Sequence, residues 1–330
     1  MRNFVRQFIL TFLETKTGTD ILYAAKLLTH NEVVAVPTET VYGLAANALS
    51  AEAVVKIFEA KQRPFFDPLI VHLAEKSHIY NYIKMLPPQL EKLADALWPG
   101  PLTLLAEKKD IIPDLVTSGL LTVGIRVPAH DLFRQLLQQL PFPLAAPSAN
   151  PFGYISPTSA EHVYNQLNTK IPYILDGGNS SVGVESTIVG YENGKVVIYR
   201  LGGIAVETIE NLVGKTEIRT HSSNPKAPGQ LDSHYAPRKP FFAGDIYALA
   251  QKFAGKKLGV ITFSDELNLP GIFKNWKLSH AGNLNEAAQN LFAIMREADK
   301  SEVEIIIAEF LPEHGLGLAI NDRLKRASFR

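Results

Sequence analysis

The stretch Thr19-Asp20-Ile21-Leu22-Tyr23-Ala24-Ala25-Lys26-Leu27-Leu28-Thr29-His30-Asn31-Glu32-Val33-Val34-Ala35-Val36-Pro37 changes its hydrophobic period half-way along. Ile21, Ala24, Ala25 and Leu28 recur at helical spacing, with Thr19 placed to cap the helix. Residues 33–36 are then a continuous apolar run of the kind that a strand buried on both faces shows, and Pro37 stops it. A helix that hands over to a buried strand predicts a mixed α/β architecture. The alternation continues. Ser50 caps a second helix through Lys61, which Arg63-Pro64 closes, and residues 69–73, 121–127, 144–146, 184–189 and 196–201 read as strands.

At roughly 150 residues per domain, 330 residues suggest two domains, and 46% hydrophobic with 20% charged residues is ordinary globular composition. The α/β alternation holds over residues 1–212. From 217 to 240 it gives way to turn chemistry, with Pro225, Pro228-Gly229, Pro237 and Pro240, so 213–240 is expected to be a linker or lid. Residues 241–330 resume with a strand over 257–263, a helix over 285–298, a strand over 302–311 and a helix over 322–328. That is a small Rossmann-like βαβ unit with a parallel sheet. At the N-terminus, the apolar run 8–13 is followed at once by Glu14 and Lys16 without a small-residue cleavage site, which favours a first strand behind a loose leader over a signal peptide. No apolar run reaches the roughly 18 residues of a membrane span.

Thirty-three lysines and arginines balance 33 aspartates and glutamates, which argues against gripping nucleic acid by bulk charge. The absence of cysteine excludes thiol catalysis, disulfides and thiolate metal sites, and fits a cytoplasmic location. Gly178 to Gly183 has the spacing of a phosphate-binding loop, but Val184-Glu185 stands where lysine and serine or threonine are required. Neither a G-x-S-x-G elbow nor an H-E-x-x-H pair is present.

The informative residues are polar ones on surfaces that the periodicity buries. Lys61 falls seven residues after Val54 on the stripe of Ile57 and Phe58, so it turns inward, or it complements the helix dipole from the last turn. Thr122, Gly124 and Arg126 take one face of their strand, which meets solvent or a ligand. His72 is alone in an apolar strand, and Arg200 shares a face with Val196 and Ile198. Two polar loops, 37–43 and 145–151, follow buried strands, where open α/β sheets place ligands. Thr158 and Glu161 form a capping box that leaves Ser156 before a helix N-terminus, which suits a phosphate or simply a turn.

At these residues the chain resembles the threonylcarbamoyl-AMP synthases, in the long form that joins a YrdC-like domain to a smaller C-terminal one. The resemblance spans essentially the whole chain. Its carriers are Pro37-Thr38-Glu39-Thr40-Val41-Tyr42-Gly43-Leu44, Lys61-Gln62-Arg63-Pro64, Pro68-Leu69-Ile70-Val71-His72, Trp98-Pro99-Gly100-Pro101-Leu102-Thr103 and Arg126-Val127-Pro128. Ala146-Pro147-Ser148-Ala149-Asn150, Asp176-Gly177-Gly178, Gly183-Val184-Glu185-Ser186-Thr187 and His234-Tyr235-Ala236-Pro237 complete them.

The resemblance implies a YrdC-like twisted mixed sheet with helices around a large cavity. It implies a nucleotidyltransferase that makes L-threonylcarbamoyladenylate from L-threonine, bicarbonate or carbon dioxide, and ATP, with magnesium, releasing pyrophosphate for modification of the tRNA adenosine beside the anticodon. Carried over residue by residue, threonine lies near Thr40, His72, Arg126, Ala146 and Ser186. ATP lies near Arg63, Asp67, Thr122, Ser148, Ser156, Arg200 and Tyr235, and Lys61, Arg63, Ser148 and Asn150 form the catalytic signature. Asp67 departs from the family's usual asparagine, and its extra charge is expected to meet a hydroxyl, a base edge or magnesium. The tRNA threonylcarbamoyl transferase is the implied partner, and direct tRNA contact stays open. The rival readings are a carbamoyl-adenylating enzyme of hydrogenase maturation and a non-catalytic RNA-binding module. Against them stand the missing cysteine-rich segments, the zero net charge and the lack of aromatic stacking patterns.

Overall fold

A computed structural model describes residues 14–220, 228, 234–267 and 270–329. The leader and first strand expected before Glu14, and much of the linker, lie outside them. Strands β1 (Lys16–Gly18), β2 (Val34–Val36), β3 (Gly43–Asn47), β4 (Ile70–His72), β5 (Leu102–Glu107), β6 (Thr122–Arg126), β7 (Leu144–Ala145), β8 (Tyr173–Leu175), β9 (Thr187–Glu192), β10 (Lys195–Arg200) and β11 (Glu217–Ile218) build one mixed sheet. Their order is β1-β8-β2-β3-β7-β4-β6-β5-β9-β10-β11. A second sheet holds β12 (Phe241–Ala243), β13 (Leu258–Thr262), β14 (Ile272–Lys277) and β15 (Ile305–Ala308) in the order β12-β15-β13-β14, with every pairing parallel. Mixed α/β architecture and a parallel second sheet are therefore what the sequence led us to expect.

Local chemistry explains most boundaries. The helix Ala51–Lys61 starts where the Ser50 hydroxyl accepts from the Ala53 amide, and ends at Gln62, whose left-handed φ of 52° breaks the turn. Its apolar stripe of Ala53, Val54, Ile57 and Phe58 is buried in the main core. The helix Ile21–Thr29 also forms, but its cap is Asp20, which accepts from the Tyr23 amide, rather than Thr19. Ser159, not Thr158, caps the helix Ala160–Leu167, because Thr158 is bonded instead to the His162 ring, so the expected capping box does not exist. Residues 184–186, expected as the start of a strand, precede β9; Glu185 and Ser186 line the cavity, while Val184 is buried in the second core.

The linker is not wholly without structure, since β11 pairs in parallel with β10 and extends the first sheet. Among the described residues no helix is long and apolar enough to cross a membrane. The second unit packs directly against the first through a helix. At Gly183 the chain passes so close to the helix Leu284–Lys300 that a Cβ would stand 2.3 Å from the Gln289 Cα, and its φ of +79° is itself one that glycine favours.

Candidate active site

Strands β4 and β6 run parallel with His72 opposite Arg126 in register, so two of the candidate side chains leave neighbouring strands side by side. They open into a cavity of about 590 Å³, its solvent-filled mouth included. The loop after β2 forms one wall. There the Thr38 hydroxyl accepts from the amides of Thr40 (3.1 Å) and Val41 (3.2 Å) and donates to the Val41 carbonyl (2.7 Å), which fixes the turn that carries Glu39 and Thr40. The loop after β7 forms another wall and is knitted to the first by Leu44 N–H to Pro147 O (2.7 Å) and Ala149 N–H to Tyr42 O (2.8 Å). Lys61 holds this second loop from behind, donating to the carbonyls of Ser148 and Asn150 at 2.5 Å each.

Three guanidinium groups line the cavity. Arg63 pairs with Asp67 at 2.8 Å and donates to the carbonyls of Asp67 and Pro68. Arg126 pairs with Glu39 at 2.7 Å, donates to Thr40 Oγ1 at 2.9 Å and to the Gly100 carbonyl at 3.2 Å. Arg200 donates to the Ser186 carbonyl (3.0 Å), the Ser186 hydroxyl (2.9 Å) and Pro228 O (3.5 Å). It reaches the cavity through a bulge. The register shift after Ile198 sets Arg200 opposite Ile188, whose side chain packs with Ile70. Arg200 thus leaves the face of Val196 and Ile198 that simple alternation assigned to it.

Burial shifts several of the ionisable groups around the cavity. It pushes Arg200 down to about 10 and His72 down to about 3, the latter with help from the Arg126 charge, so His72 is neutral. Its Nδ1 has no hydrogen-bond partner. Burial, then the Arg63 charge, lowers Lys61 well below its ordinary value. Burial also raises the Asp67 carboxyl against the opposing pull of Arg63.

The linker closes the fourth side with Pro228, His234 and Tyr235. Tyr235 is 1% exposed and has a φ of 64°, a left-handed conformation costly for an aromatic residue. Packing overrides that cost. Its ring stacks on Phe292 at 5.5 Å, meets His234 edge-on at 4.2 Å and lies 5.3 Å from the Arg323 guanidinium carbon. Arg323 and Phe292 both come from the second unit, which therefore supports the wall that the linker provides.

Of the residues singled out in the sequence, Thr40, Arg63, Asp67, His72, Arg126, Ala146, Ser148, Ser186, Arg200 and Tyr235 line one cavity. Four do not. Lys61 lies behind the Ser148 loop, Asn150 spends its amide on the carbonyls of Pro151 and Tyr154, and Ser156 donates to Glu185 at 2.5 Å. Thr122 stands four residues along β6 from Arg126, about 13 Å at the rise of a strand. Glu39 and Glu185, the partners of Arg126 and Arg323, were missed although both sit inside quoted motifs. Nothing in the sequence pointed to Arg323.

Two family models match the chain. One, for the Sua5, YciO and YrdC proteins and described as telomere recombination, matches residues 26–202; the other, described as threonylcarbamoyl-AMP synthase, C-terminal domain, matches 204–328. The threonylcarbamoyl-AMP synthase of Pyrococcus abyssi is 41% identical over 327 residues, covering 93% of this chain and 94% of that protein. The chain belongs to the threonylcarbamoyl-AMP synthase family. The Bacillus subtilis threonylcarbamoyl-AMP synthase is 40% identical, covering 93% of this chain and 92% of its own length. The crystal structure of P. abyssi Sua5 complexed with L-threonine superposes with a TM-score of 0.88 at 40% identity, covering 93% of this chain and 94% of that one. HypF, at 22% identity and a TM-score of 0.50, shares the fold over 55% of this chain.

Proposed function

We propose that the chain makes L-threonylcarbamoyladenylate from L-threonine, bicarbonate or carbon dioxide, and ATP, releasing pyrophosphate, for the threonylcarbamoyl modification of tRNA. The observation that carries this reading is the gathering of Arg63, Arg126, Arg200 and a neutral His72 in one cavity. No side chain needs to be a nucleophile. The amine of threonine captures carbon dioxide as a carbamate; a carbamate oxygen then bonds to the α-phosphorus of ATP as the bond to pyrophosphate breaks. What the protein supplies is position and charge.

In this reading Arg126 receives the amino acid's carboxylate and His72, with Nδ1 free of an internal partner, meets its hydroxyl. Thr40, Ala146 and Ser186 frame the same substrate. Arg63 and Arg200 take the phosphates, beside Asp67, Ser148 and Tyr235, while Thr122 and Ser156 reach a nucleotide only after side-chain movement. Lys61 acts by holding the Ser148 and Asn150 carbonyls in place. Magnesium, when bound, would offset part of the triphosphate charge.

We assign residues 1–212 to the catalytic domain, 213–240 to a lid and 241–330 to a domain that supports the lid through Phe292 and Arg323. A lid suits the chemistry, because a carbamate decomposes and a mixed anhydride hydrolyses in a wet site. The same lability favours handing the product to the tRNA threonylcarbamoyl transferase in the cytoplasm.

Exchange of labelled pyrophosphate into ATP tests the proposal. It should require both threonine and bicarbonate. Exchange that needs carbamoyl phosphate instead would support the hydrogenase-maturation chemistry, and no exchange at all would leave an RNA-binding module as the better account.

A further inference from the structure

Charge in the cavity is nearly balanced before any substrate arrives. Arg63 faces Asp67, Arg126 faces Glu39, and Glu185 in the cavity wall faces Arg323. Among the described residues only Arg200, of the lining guanidinium groups, has no carboxylate within ion-pairing distance. A nucleoside triphosphate brings roughly four negative charges into that setting, and in a cavity of low dielectric most of them would stay uncompensated. A cation must come with it.

One atom is placed to hold that cation. Asp67 is 1% exposed and lines the cavity; its Oδ2 faces Arg63, while its Oδ1 has no hydrogen-bond partner. A buried carboxylate oxygen without a donor is costly unless a ligand supplies one. The other lining carboxylate is already satisfied, since Glu185 accepts from Ser156 at one oxygen and from Arg323 at the other. Glu39 does not line the cavity. Among the described residues no group of three or more histidines and carboxylates could hold a metal unaided. This pattern suits magnesium, which takes one or two carboxylates and completes its shell with phosphate oxygens and water.

We propose that Asp67 Oδ1 is the protein's ligand to a magnesium ion that arrives with the nucleotide and bridges the carboxylate to its phosphates, while Arg63 keeps Oδ2. The inference rests on the reading of the cavity as an ATP site.

Binding of α,β-methylene-ATP, which cannot release pyrophosphate, tests it by calorimetry with Mg2+ and with EDTA. Mg2+ should tighten binding at least about tenfold in the wild type and less than about threefold in Asp67→Asn, which should bind the metal-free analogue more tightly because a repelling charge is gone. An unchanged Mg2+ effect in Asp67→Asn overturns the metal ligand and leaves the ATP site standing. Failure of the wild type to bind the analogue with or without Mg2+ overturns the ATP site as well. A second measurement needs no variant. Mn2+ replaces Mg2+, and its water ligands are counted by electron paramagnetic resonance in 17O-enriched water. The bound Mn2+–analogue complex should carry one water fewer than the same complex free in solution, and Mn2+ alone should not bind; an equal water count overturns the proposal.

Discussion

Asp67 in the cavity and the carboxylates of Glu185 and Asp322, where the second unit docks against the cavity wall, are built to opposite specifications. At the docking seam every oxygen is occupied. Glu185 accepts from Ser156 and Arg323, and Asp322 accepts from Arg323 and Arg326, while Arg326 also donates to the Thr220 carbonyl at 2.7 Å. In the cavity, Asp67 Oδ1 has no hydrogen-bond donor. Carboxylates with both oxygens occupied make a contact rigid and specific, whereas one with an oxygen to spare waits for a ligand to finish it. All of them are deeply buried, so burial alone does not separate structural charge from functional charge. The unspent hydrogen-bonding capacity does.

The sharpest way to break that contrast is Arg323→Leu. It strips Glu185 and Asp322 of a shared partner and should cost about 3–5 kcal/mol in urea unfolding, whereas a loss below about 1 kcal/mol would make the seam ordinary surface. Next comes Arg63→Ala, whose effect should fall on the reaction. Pyrophosphate release should drop at least about 100-fold, or about 3 kcal/mol of activation.

The third test is pH. His72 titrates at about 3 in the folded protein and near 6.5 when unfolded. Below 6.5 the unfolded chain therefore binds a proton that the folded chain refuses, and stability present above that pH is lost as pH falls toward 3. Between pH 7 and pH 5 its share is about 2 kcal/mol, which unfolding of wild type and His72→Asn at the two pH values should reveal as a shallower slope in the variant. His234, lowered by burial and then by Arg63, pushes the wild-type slope the same way. Smallest is the exposed pair of Lys274 and Glu297, 2.7 Å apart, where Lys274→Ala should leave the unfolding midpoint unchanged.

The parts of this design set by neighbours in sequence could be read in advance. Ser50 and the apolar stripe to Phe58 predicted one helix to the residue, and alternation put Arg126 on the face of β6 opposite Val123 and Ile125 while leaving open whether that face met solvent or a ligand. Arg200 could not be read so simply, because its face depends on a bulge against β9 that leaves no local mark. Nor could the bond between Arg323 and Glu185, 138 residues apart, since a charged residue on a helix looks the same whether it meets water or a distant carboxylate. The sequence reading also passed over β12 and β14. The first is three residues long, and the second is a half-exposed edge strand whose hydrophobic signal is diluted by Lys274 and Asn275. The candidate site was legible as a set of residue types. Which of them face the substrate, and which merely brace those that do, is decided by contacts between remote parts of the chain.

The pairing of His72 with Arg126 across two adjacent strands has one last implication. Their separation is a backbone spacing, held by main-chain bonds on both sides, and no side-chain replacement nearby resets it. The cavity thus carries a ruler of fixed length, and if His72 and Arg126 hold the amino acid as proposed, acceptance of a longer or shorter one would have to come from trimming or thickening the walls around it.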